Sequence, residues 1–126
     1  MERRTFGFLL EERILFDISN KKIIHYSFDE SDFPMFIKVV SLNDTQARLL
    51  KFLLVNRKDE IINRTDILHY VWDSFNLSSS NQRLWQSMNS LRRKLCSIGL
   101  PEDFITNVHG VGYSVDNTRI LSLLVN

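Results

Sequence analysis

The spacing of apolar residues along the chain changes once, near residue 42. Before that point "FGFLL", "RILFDI", "KKIIHYSF" and "FIKVVSL" are short runs rich in aromatic and β-branched residues, separated by the turn-like "EE", "SNKK" and "DESDFP". Runs of this kind predict three or four antiparallel strands over about residues 6–41. Beyond residue 42 the spacing lengthens to that of helices, which occupy about residues 43–98. In "LNDTQARLLKFLLVN", Leu50, Leu53 and Leu54 share a face, and Asn43 followed by Gln46 forms a variant of the capping box. "INRTDILHYVWDSF" repeats the scheme, with Asn63 as N-cap, Asp66 in the first turn, and Ile67, Leu68, Val71 and Trp72 facing inward. A third helix follows the polar "NLSSS" and runs from about Asn81 to Ile98, with Gly99 and Pro101 as its stop signals. "FITNVHGVGYSV", about residues 104–115, then reads as strand, glycine turn, strand. The apolar tail, residues 116–126, is open between a short strand or helix covering apolar surface and a contact for another protein.

The length, 126 residues, is that of one domain able to bury a core without disulfides or metal. Sixteen Lys and Arg stand against fifteen Asp and Glu, so any sign of a nucleic-acid partner has to be local. One local sign is present. Residues 81–98 hold Arg83, Arg92, Arg93 and Lys94 and no acid. On the same helix Leu84, Met88, Leu91 and Leu95 line one face and pack on the first two helices, while Gln82, Gln86, Asn89, Ser90 and Arg93 line the opposite one. Amides and arginines in one stripe are the side chains that bind adenine and guanine edges bidentately in a major groove. Alone, such a stripe is more often just the wet side of an amphipathic helix. Its context shifts the balance, because helix, turn, helix and a two-stranded flap are the layout of a winged helix-turn-helix DNA reader. The fold class is therefore α+β: an N-terminal antiparallel sheet, three helices and a C-terminal hairpin wing.

At these residues the chain resembles the OmpR/PhoB-type winged-helix DNA-binding domain of bacterial transcription regulators. The stretches "LNDTQARLLKFLL", "INRTDILHYVW", "LRRKL" and "VHGVGYSV" stand in the family's order, and the likeness spans about residues 8–115. "LWQSMNSLRRKL" and "RILFDISNKKIIHY" look most similar to the ToxR/CadC branch. The resemblance implies a non-enzymatic regulator that binds double-stranded DNA. Gln82, Arg83, Gln86, Asn89, Ser90 and Arg93 would face bases and phosphates, with Arg92 and Lys94 at the edges. The turn His109-Gly110-Val111-Gly112 would approach a minor groove, its glycines giving the tight turn and the close approach to DNA, while Asn107 and Tyr113 could touch phosphate. The loop Ser74 to Ser80 corresponds to the segment that can contact RNA polymerase, and pairing on tandem half-sites by a protein that is monomeric in solution is implied as well.

Two positions depart from the family's pattern. His109 stands where the family often has arginine, the residue that exploits a narrow minor groove, so the wing contact is expected to be weaker or pH-dependent. Asn89 and Ser90 stand where many members are basic, which implies a different sequence preference. Members carry a receiver domain upstream or a membrane segment downstream. If these residues are the complete product, the expectation is that the signal input is missing or enters through a partner. A winged-helix protein-interaction module that acts on another regulator, with little DNA affinity of its own, is the alternative.

No other chemistry assembles. His25, His69 and His109 lack metal-ligand spacing, no phosphate-loop motif occurs, and no cofactor is expected. Asp29, Glu30 and Asp32 read as a solvated loop. The single cysteine, Cys96, reads as a structural thiol that fits a reducing compartment, and Trp72 and Trp85 both read as core. The N-terminal apolar run is too short for a signal peptide and no stretch is long enough to cross a bilayer, so the expected location is cytoplasmic.

Overall fold

A computed structural model describes residues 3–27 and 36–125. In chain order its elements are β1 (Arg4–Leu10), β2 (Ile14–Asp17), β3 (Lys22–Ser27), β4 (Phe36–Ser41), α1 (Asp44–Val55), β5 (Ile62–Asn63), α2 (Arg64–Val71), α3 (Asn81–Ser97), β6 (Ile105–Val108), β7 (Gly112–Val115) and β8 (Ile120–Val125). They form an antiparallel five-stranded sheet, ordered β4-β3-β2-β1-β8, and a small sheet ordered β5-β7-β6. The N-terminal strands, the three helices and the hairpin read from the apolar spacing are all present in that order. The acidic loop of Asp29, Glu30 and Asp32 lies outside the described residues.

Alternation along the strands decides which side of the large sheet is dry. Phe8, Phe16 and Ile23 lie side by side in register, as do Leu10 and Ile14, and all five are buried. They join Leu49, Leu50, Leu53 and Leu54 of α1 and the inward side of α3 in one hydrophobic core. Four consecutive-turn leucines are needed on α1 because it packs against both α2 and α3. The opposite side of the sheet carries a second line in register, Leu121, Leu9, Leu15, Ile24 and Val39, with no element of the described residues laid over it. Its outer members Leu121 and Val39 are exposed.

Helix ends follow the expected chemistry. Asn43 and Gln46 form both reciprocal bonds of the capping box, and Asn63 accepts from the Thr65 amide at 2.9 Å. At the far end of α2 the Arg48 guanidinium donates to the Val71 carbonyl at 3.1 Å and lies 4.4 Å from the centre of the Phe75 ring.

Two features were absent from the sequence reading or left open in it. The tail is a strand: β8 pairs along the whole of β1, and Arg57 donates to its Ser122 hydroxyl at 3.2 Å. The two-residue β5 is too short to leave a periodic signal, yet it binds β7 and so fixes the final hairpin to the helices. Two expectations are corrected. Cys96 is exposed rather than structural, and Trp85, expected in the core, is 60% exposed, whereas Trp72 is buried as expected.

Candidate nucleic-acid interface

Helix α3 begins where the Ser80 hydroxyl accepts from the Arg83 amide at 3.1 Å, and stops at Gly99, whose φ of 111° suits only glycine. Leu84, Met88, Leu91 and Leu95 are buried. At 100° per residue this turns Gln82, Gln86 and Arg93 to the open side, where they are exposed, with Asn89 half-buried beside them. Arg83 is also exposed, its guanidinium donating to the Ser78 carbonyl at 3.0 Å.

The other three helix candidates are turned elsewhere by the same geometry. Ser90 and Lys94 fall on the flank toward α1: the Ser90 hydroxyl accepts from the Gln46 amide at 2.8 Å, and the Lys94 ammonium donates to Gln46 Oε1 at 2.8 Å and the Ser41 carbonyl at 2.9 Å. Arg92 falls on the flank toward the chain that follows α3, and donates to the Glu102 carbonyl at 3.2 Å. A wheel drawn about the helix axis gives angles to the core but not which neighbour lies at each flank.

The hairpin β6–β7 stands beside α3. Its turn is set by Gly110, with φ of 76°, and by a Val111 amide to Val108 carbonyl bond of 3.0 Å. Ile62 and Asn63 pair with Tyr113 and Gly112, and the Arg64 amide donates to the Val111 carbonyl at 3.0 Å, so the tip is tied to the start of α2. Gly112 has a reason other than the expected close approach to DNA. A Cβ placed there would lie 1.9 Å from the Ile62 carbonyl oxygen. The missing side chain makes room for β5.

Between α3 and the hairpin opens a cleft of about 400 Å³ lined by Arg64, Asn81, Trp85, Asn107, His109 and Tyr113. Asn107 and His109 are exposed, and Tyr113, opposite Asn107 in register, is buried. Burial pushes the Tyr113 phenol above the ordinary tyrosine range, against the opposing pull of Arg92 and Arg64, so at neutral pH it remains a hydroxyl donor. The cleft thus offers a guanidinium, amide and phenol donors, and one apolar plate. That is the chemistry of a sugar–phosphate strand rather than of a buried small molecule.

Arg64 and Trp85 were missed as site residues. Arg64 enters only because β5 folds the start of α2 onto the hairpin. Trp85, about a quarter turn from the core stripe, carried a readable signal in its angle, which its bulk and apolarity outweighed. Among the described residues no group of three or more His, Cys, Asp or Glu comes together to hold a metal ion, and no helix is long and apolar enough to cross a membrane.

Comparison with known proteins agrees with this architecture. The family "Transcriptional regulatory protein, C terminal" matches residues 38–115. The cholera toxin transcriptional activator of Vibrio cholerae is 26% identical over 108 residues, covering 86% of this chain and 34% of that protein. The transcriptional regulatory protein BaeR of Escherichia coli is 30% identical over 86 residues, covering 67% of this chain and 35% of that protein. The chain therefore spans about a third of the length of these curated relatives. Among solved structures, the DNA-binding domain of Escherichia coli CadC superposes with a TM-score of 0.71 at 18% identity, over 97% of this chain and 100% of that one. The C-terminal domain of the nisin resistance regulator NsrR, a lantibiotic response regulator, gives 0.55 at 28% identity, over 86% and 91%. With its three helices, its hairpin and its N-terminal sheet in these positions, the chain belongs to the OmpR/PhoB-type winged-helix family of DNA-binding domains of transcriptional regulators.

Proposed function

We propose that the domain regulates transcription by sequence-specific occupancy of double-stranded DNA, with α3 in the major groove and the hairpin as a wing toward the minor groove. The observation that carries this reading is the open side of α3, where Gln82, Gln86 and Arg93 are exposed beside a cleft holding Arg64, Asn107 and His109. Gln86 and Asn89 read base edges, Arg83 and Arg93 draw in the backbone, and the strand between the two grooves runs through the cleft. Ser90, bonded to Gln46, contributes less directly than its place in the polar stripe implied, while Lys94 and Arg92 stay at the edges, on the two flanks of α3. The loop Ser74 to Ser80, with Phe75 and Leu77 exposed, is the surface for RNA polymerase. One domain has few phosphate contacts, so a protein monomeric in solution gains by pairing on tandem half-sites. Selection of bound sites from random duplexes tests this reading: a motif with a repeated half-site is expected, and enrichment of no sequence refutes it.

Trp85 supplies the apolar plate of this interface. Covering an exposed indole with sugar carbons or a thymine methyl stabilises by about 1–2 kcal/mol. Trp85→Ala should therefore weaken binding to the selected site roughly tenfold. Titrating DNA into the wild type should also change the indole emission, with buried Trp72 as a constant background. An unchanged spectrum and affinity would remove Trp85 from the interface.

The wing gives a further test. His109 is exposed at the turn and lines the cleft, so His109→Ala should weaken binding to the selected site about threefold, and an unchanged affinity removes that side chain from the interface.

A second reading, a protein-interaction module acting on another regulator, is favoured by the apolar line from Leu121 to Val39, whose outer members are exposed among the described residues. It requires that selection from random duplexes enrich nothing while a pull-down retains a protein partner.

A further inference from the structure

Gln46 is the single buried amide or charged side chain among the described residues, 3% exposed, and the start of α1 and the flank of α3 meet on its amide. Its Oε1 accepts from the Asn43 amide at 3.0 Å, closing the capping box of α1, and from Lys94 Nζ of α3 at 2.8 Å. Its Nε2 donates to the Ser90 hydroxyl of α3 at 2.8 Å, and Lys94 reaches on to the Ser41 carbonyl at the end of β4. Both oxygen lone pairs and one of the two amide hydrogens are thus committed.

We propose that Gln46 is a positioning residue for DNA recognition: it fixes the roll of α3 through Ser90 and Lys94. This rests on the DNA-binding reading above. The contacts of Leu84, Met88, Leu91 and Leu95 are apolar and non-directional, so packing alone holds the helix in place but resists a small rotation weakly. Hydrogen bonds are directional. Ser90 and Lys94 lie one turn apart on the same flank, each next in sequence to a residue assigned to DNA, Asn89 and Arg93. Holding the first pair therefore aims the second. A bidentate base contact fails with a modest misalignment, whereas a phosphate contact tolerates it, so loss of the amide lowers specificity more than general affinity.

The test compares Gln46→Leu with Gln46→Glu, measuring affinity for the selected site and for a shuffled duplex at one salt concentration, together with thermal melting. Gln46→Glu keeps an acceptor for Asn43 and Lys94, and the Ser90 hydroxyl can donate to it. Gln46→Leu should lose about tenfold on the selected site and less than threefold on the shuffled one, while Gln46→Glu stays within about threefold of wild type on both. If Gln46→Leu does not fold, Ser90→Ala and Lys94→Met, which leave the cap intact, should each narrow the ratio between selected and shuffled duplex. An unchanged ratio in every folded variant, whatever the melting temperature does, overturns the assignment and leaves a purely structural amide. Equal loss in the leucine and glutamate variants overturns it as well. Should the wild type select no sequence at all, the DNA-binding reading falls and takes this assignment with it, an outcome distinct from a selective wild type with equally selective variants.

Discussion

Gly112→Ala should cost about 3 kcal/mol or more, and lower the thermal midpoint by about 10 °C or more in a domain of this size. The new Cβ would meet backbone on the far side, with the Ile62 oxygen at 1.9 Å, the Ile62 carbonyl carbon at 2.9 Å and the Arg64 nitrogen at 3.1 Å. No rotamer relieves a clash between two main chains, so β5 must leave β7. The pairs Ile62 with Tyr113 and Asn63 with Gly112 would be lost with it, along with the cap that Asn63 provides for α2. Gly110→Ala is the internal control. Its added carbon has no neighbour within 4 Å, so only the strain of its positive φ counts, about 1 kcal/mol. Calorimetry of the two variants checks the contrast. Equal, small shifts would mean that β5 is not held as described.

DNA affinity should fall about 150-fold between 50 and 200 mM salt. If Arg64, Arg83 and Arg93, with one further donor from the wing, each meet a phosphate as proposed, about four contacts give a slope near −3.6 in log–log form. Arg93→Ala should weaken binding to the selected site at least tenfold, about 1.4 kcal/mol, and reduce the slope by about 0.9 if its partner is a phosphate. An equal affinity loss with an unchanged slope would mean that Arg93 reads a base instead. The domain should remain folded, because Arg93 is exposed and lies on the side of α3 opposite its buried leucines. No loss of affinity by fluorescence anisotropy would sink the placement of α3 in a groove.

The helices were legible because their signals are local. Asn43 with Gln46, Asn63, and Gly99 mark ends through bonds made within one turn, and a four-residue apolar period is set by the helix itself. Strands β1 to β4 were legible for the same reason, since each is the neighbour of the last. What escaped depends on contacts distant in sequence. Strand β5 exists only because β7 passes beside it, and Gly112 looked like a turn residue until Ile62 was found against it. Ser90 reads from the sequence as an open-side residue and Lys94 as one at the edge, and only α1 and the end of β4 supply the partners that hold them. Trp85 shows the reverse error, in which a large apolar residue was given a core role that its angle on the helix did not support.

The pairing of β8 with β1 also bears on the order of events in folding. Arg4 lies opposite Val125 and Leu10 opposite Ile120, so this ladder joins the two ends of the described chain. Closing so long a loop is entropically unfavourable until the intervening helices and strands have shortened the path between its ends. Docking of β8 on β1 is therefore expected late in folding. Before β8 docks, β1 has a bare edge, which another copy's β8 can occupy when that copy's concentration rivals the effective concentration of the chain's own strand.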